Sequence, residues 1–207
     1  MFDLKSLYLL IILSSKPFVK FRLRKFEYLK PTIMNSNHQI ITDKYEMHEI
    51  AIESSLSEHK DIIHIDFADV RYFCNDMCIK MVIKQYVADT VNEDWLANFK
   101  QIIKYTNIPL NKVKAVLLDA ISRTEECGHI IDNTSEAIMW LYDNMINPEG
   151  LFGVHYNPEL EYDLEFDCIL FFEKDSNEEK ENEEIFKEIF AKTLLKFQPK
   201  ETIKITL

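Results

Sequence analysis

The run from Leu160 to Phe172 constrains the fold more than any other stretch, because its first eight residues alternate apolar and acidic side chains and the remainder is apolar. A period of two describes a β-strand with one buried face. Leu160, Tyr162, Leu164, Phe166, Cys168, Leu170 and Phe172 are expected to enter a core, with Glu161, Asp163, Glu165 and Asp167 on the opposite, outward face. A slip of one residue would bury four carboxylates, which pins the register.

The residues before this strand carry a helical period instead. Asp66 is placed to cap a helix whose apolar stripe is Phe67, Val70, Phe73, Cys74, Met77, Met81 and Val82. Thr90 and Glu93 form a capping box for a second helix, which buries Trp95, Leu96, Phe99, Ile102 and Ile103 and ends at Asn107 to Pro109. A third helix runs from about Asn111 through Val113, Val116, Leu117, Ala120 and Ile121 and closes at Gly128. A fourth starts at 133–135, buries Ile138, Leu141 and Met145 with Trp140, and stops before Pro148. Residues 39–65 fit strand and helix templates about equally. In the tail, Leu151 to Tyr156 reads as a strand, Glu184 to Lys196 as an amphipathic helix and Thr202 to Thr206 as a closing strand. The expected fold class is α+β: an antiparallel helical block, 66–147, followed by a small mixed sheet with one covering helix in a strand–helix–strand tail, 150–207.

Residues 35–207 suffice for a single domain of this kind. Residues 1–34 differ in character, with seven basic residues against Asp3 and Glu27. They read as a basic extension, either without order or contributing one strand. Val19 to Arg24 alternates with Lys20, Arg22 and Arg24 on one side, a charge complement to Glu161, Asp163, Glu165 and Asp167 that would suit cross-strand pairing. The apolar stretch Leu7 to Leu13 is far short of the roughly 20 residues of a membrane span. It has a signal-peptide length, but Asp3 precedes it and no small-residue cleavage site follows. Met1 and Met34 are both possible starts.

Composition excludes several functions. With only Gly128, Gly150 and Gly153 present, no glycine-rich phosphate cradle can form. A net charge of −11 disfavours nucleic acid and anionic membranes as partners. Cys74, Cys78, Cys127 and Cys168 show no disulfide-framework spacing and read as free thiols in a reducing, cytoplasmic setting. Cys74 and Cys78 with Cys127 and His129 offer the atoms of a zinc set, but Cys74 belongs to an apolar stripe, so buried thiols are the expected outcome. No nucleophile elbow, zincin helix or kinase loop is present.

Asp69 to Arg71, Trp95 to Phe99 and Ile108 to Val113 are similar in rhythm to the helical half of COMM-domain adaptor proteins, over about a quarter of the chain. The resemblance rests on no specific motif, and the tail departs from it by lacking a Trp-led first strand. It is not taken as membership. The sequence therefore points to a non-catalytic interaction or adaptor module that presents Glu161, Asp163, Glu165 and Asp167 to a protein partner with a basic surface, with no cofactor. The rival expectation is a divalent-metal-dependent hydrolase or nuclease using the carboxylates of the same 161–167 strand.

Overall fold

The structure, a computed structural model, describes residues 37–56, 60–174 and 179–197. Strands and helices alternate through most of it. In chain order they are β1 (Asn37–Ile41), α1 (Lys44–Leu56), β2 (Lys60–Ile63), α2 (Phe67–Asp76), β3 (Met77–Val87), α3 (Trp95–Tyr105), a 3-10 turn (Leu110–Lys112), β4 (Val113–Ser122), α4 (Gly128–Tyr142), β5 (Glu149–Tyr156), β6 (Leu164–Glu173) and α5 (Glu179–Phe197). The six strands form one sheet in the order β1-β3-β6-β4-β5-β2. β4 and β5 run parallel, and the other described pairs are antiparallel.

This corrects the expected architecture. The class is α+β, but no helical block precedes a small sheet: five described helices are interleaved with the strands and cover both faces of one large mixed sheet. α3 and α4 bury Trp95, Phe99, Ile130 and Leu141 against Val116, Leu118, Phe166, Cys168 and Leu170 on one face. α1, α2 and α5 bury Met47, Ile52, Phe73, Phe186 and Ile189 against Ala115, Leu117, Ile169 and Phe171 on the other.

The physical reason for the misreading is that a strand covered on both faces is apolar at almost every position, and an unbroken apolar run satisfies the helical period as easily as the strand period. The predicted third helix is β4, where nearly every residue is buried. The back half of the predicted first helix is β3: α2 stops at Asp76, and Met77, Met81 and Val82 belong to the sheet. Gly128 does not end a helix but begins α4. β6 likewise has no free face, since Leu164 and Phe166 through Phe171 are all buried.

The expected cap is present at α2 but not at α3. Asp66 accepts from the Ala68 N–H at 2.7 Å, as expected. α3 buries the predicted five residues, although its cap is Asp94, which accepts from the Ala97 N–H at 3.0 Å, rather than Thr90. Past its end, Asn107 has a φ of 52°, a left-handed geometry that asparagine tolerates better than most residues. Residues 202–206, expected as a closing strand, lie outside the described residues. So does Val19 to Arg24, and with it the cross-strand pairing expected for that segment.

Candidate functional site

The sheet register sets charged residues of neighbouring strands side by side. Asp167 of β6 lies between Lys84 of β3 and Asp119 of β4, and Asp119 lies opposite Gly153 of β5. Two residues along, His155 pairs with Asp61 of β2. These side chains join into one row across five strands. Lys84 Nζ donates to Asp167 Oδ2 at 3.0 Å and also to Glu165. His155 Nδ1 donates to Asp61 Oδ1 at 2.7 Å, and its Nε2 lies 2.9 Å from Asp119 Oδ1, an ion contact whose angle falls short of a formed hydrogen bond. His64 Nδ1 reaches the second oxygen of Asp61 at 2.7 Å and carries the row to the surface.

Burial sets the direction of the shift at Asp167, and the neighbouring charges set it at His155 and Lys84. Burial pushes the Asp167 carboxyl up to about 7; Lys84 opposes the shift, and the charges of Glu165 and Asp119 add to it. Asp167 Oδ1 has no hydrogen-bond partner among the described residues, which is tolerable when the group carries a proton. For His155 burial acts downward, but contacts with Asp119 and Asp61 outweigh it and hold the ring above its ordinary value. Lys84 is likewise held above its ordinary value, burial being overcome by Asp167 and Glu165.

A folded-state pKa raised above the unfolded one contributes stability that is lost as pH rises through it. Asp167 is therefore expected to make the protein less stable as pH climbs from about 4 to about 7. Paired surface carboxylates such as Glu183 and Glu188, whose pKa values are lowered, act below that window with the opposite sign. His48, lowered by burial, also opposes the slope below about pH 6.5. The quantity to read is thus a difference. Urea denaturation between pH 5 and 8 should give a midpoint that falls more steeply with pH in the wild type than in Asp167→Asn, and parallel curves would refute the assignment.

The four carboxylates expected on one open face have separate fates. Glu161 is exposed in a bend before β6. Asp163 bonds Arg123 and accepts from the Thr90 N–H at 3.3 Å, while its own N–H donates to Val87 O at 2.9 Å, so it ties together the ends of β3, β4 and β6. Glu165 and Asp167 are drawn onto Lys84. Lys84, Asp61, Asp119 and His155 were not legible as site residues. Asp119 is a lone charge in the apolar run Val116 to Ile121, but Asp61 follows Lys60 and Lys84 shares its strand with Lys80, and only the strand register shows that the four belong together.

Among the described residues, no group of three His, Cys, Asp or Glu is placed to hold a metal ion. All four cysteines are buried, and Cys74 and Cys127 sit in cores on opposite faces of the sheet, which keeps them from converging.

A second feature lies where α3 and α4 end. Ile103, Lys104, Asn107, Ile108, Leu110, Trp140 and Asn144 line an open groove of about 430 Å³. Trp140 stands edge-on to Phe99, and its carbonyl is capped by the Asn144 side chain at 2.7 Å, which fixes the groove wall. Near these positions in the chain, Tyr105, Met139 and Ile146 are 64 %, 58 % and 61 % exposed. No helix among the described residues is long and apolar enough to cross a membrane.

No protein-family model matches the chain, and no curated protein matches it. Among solved structures it is similar to an empty FtsZ dimer from M. jannaschii, at 13 % identity and a TM-score of 0.42, over 57 % of this chain and 34 % of that one. A likeness of that size assigns neither a family nor a function.

Proposed function

We propose that the chain is a non-catalytic protein-interaction module and that its contact surface is the groove at the ends of α3 and α4 rather than the acidic strand. The observation that carries this reading is the open groove walled by Ile108, Leu110 and Trp140, with Tyr105, Met139 and Ile146, large apolar side chains left in water, close to its lining residues in the chain. Aromatic anchors in a pocket provide most of the energy of protein contacts, and Trp140 stands in the groove wall as such an anchor. The carboxylates of the 161–167 run serve less well, because three of the four are already bonded by Lys84 and Arg123. The same fact weighs against a metal hydrolase: Lys84 occupies the place between Glu165 and Asp167 that a cation would need.

Met139→Glu with Ile146→Glu tests the reading, since both side chains are exposed and charging them should leave the fold intact. In quantitative affinity purification, the proteins retained by the wild type should fall at least about tenfold with this variant, the equivalent of about 1.4 kcal/mol, and persist with Glu161→Gln. An unchanged set with the groove variant, or a set lost with Glu161→Gln alone, overturns the proposal.

A further inference from the structure

β2 is a short edge strand with little to hold it. Its ladder consists of Lys60 opposite Tyr156, Asp61 opposite His155 and Ile63 opposite Val154, with a register shift between Asp61 and Ile63. The turn after it lies down on the sheet because Gly153 has no side chain: a Cβ there would come within 2.6 Å of Ile65. The one ionic anchor described for the strand is the contact of Asp61 with the buried His155 ring.

We infer that the Asp61–His155 contact is a pH-gated clasp, closed while the ring is cationic and opened by loss of its proton, that holds β2 and its turn onto β5. The surroundings of the ring decide which side opens. Asp61, and His64 through it, face the ring from β2 and its turn, and Asp119 faces it from β4. Behind Asp119 stand Asp167 and Glu165 of β6 and Lys84 of β3. Asp66, just past the turn, points its carboxylate at the Ala68 N–H instead.

A cationic imidazole has one N–H for each aspartate, the Nδ1–H bonded to Asp61 and the Nε2–H in ion contact with Asp119, whereas a neutral one keeps a single N–H. One nitrogen must then present a lone pair to a carboxylate less than 3 Å away. Asp119, 5 % exposed, has no water to turn to, while Asp61 at 35 % can be hydrated. The remaining proton therefore stays on Nε2, the Nδ1 proton leaves to solvent by way of Asp61 and the exposed His64, and Asp61 lets go. Because its two acid neighbours raise the ring's pKa, the change falls above the ordinary histidine value. Release of β2 frees the outer edge of β5 to accept an added strand.

Hydrogen exchange by mass spectrometry on the full chain between pH 6 and 9, corrected for intrinsic rates, tests the clasp. Protection of residues 60–66 should fall about tenfold relative to that of β4, which reports global unfolding and removes any slope contributed by Asp167. Asp61→Asn should abolish the fall, and His64→Gln should preserve it. In parallel, the His155 ring followed by NMR should titrate with the same midpoint as the loss of protection, a readout that needs no variant. A flat wild-type profile, a fall that survives Asp61→Asn, a fall lost in His64→Gln, or a His155 midpoint displaced from it would each overturn the inference.

Discussion

A Lys84→Met variant is expected to melt below the wild type, by a wider margin at pH 8 than at pH 5. Lys84 and Asp167 have side chains only 14 % and 6 % exposed, so their charges have little water to fall back on. Without Lys84 the Asp167 carboxyl, already at about 7, takes up a proton, so the loss at pH 8 exceeds that at pH 5 by up to about 1.4 kcal/mol, or roughly 3–6 °C in Tm for a domain of this size. The pH dependence follows from Asp167, whose carboxyl is pushed up to about 7. At pH 5 it is already protonated, and methionine replaces an ammonium that then faces only Glu165. Adding Asp167→Asn to Lys84→Met should recover part of the loss at pH 8, because no carboxylate remains at the centre of the row. Calorimetric scans of the two variants at both pH values decide the matter. Equal melting of Lys84→Met and wild type at pH 8 would mean that the row is not closed around Lys84.

The same lysine shows where reading the sequence succeeds and where it stops. Capping and amphipathic signals are local, and they located α3, α5 and the start of α2, as Asp66, Phe99 and Ile185 attest. The strand Leu151 to Tyr156 was legible for a similar reason, being bounded by Pro148 and by Asn157 with Pro158. β3 and β4 were not, because central strands hide polarity on both sides and leave no alternation to read. The acidic residues of the 161–167 run were legible as a pattern but not as a surface. Alternation says only that two faces differ; whether the polar face meets water or another charged strand depends on neighbours more than forty residues away. Lys84 lies 83 residues before Asp167 in the chain and directly beside it in the sheet. The charged row is thus a property of the register, and the groove a property of two helix ends that the third predicted helix would have separated.

Phe166, next to Asp167, is where the alternation can be tested against the packing. The ring lies at 5.0 Å from Trp95 and 5.2 Å from Phe99 in the core under α3, and it is fully buried. Phe166→Ala is expected to lower unfolding free energy by about 3–5 kcal/mol, measured by urea denaturation, since deletion costs both the transfer of the ring and the cavity that remains. The cavity cannot collapse readily, because Gln85 and Ala120 hold the backbone of β6 in its ladder from both sides. Phe166→Leu should cost less, about 1.5 kcal/mol or under, by keeping most of the volume. Phe172, which points to the same side of the predicted strand but is only half-buried, should lose clearly less on truncation to alanine. The ordering matters more than the totals. If Phe172→Ala proved as costly as Phe166→Ala, the core would extend evenly along β6; a graded loss instead places its centre beneath Trp95 and Phe99, one residue away from the charge pair and on the opposite face of the sheet.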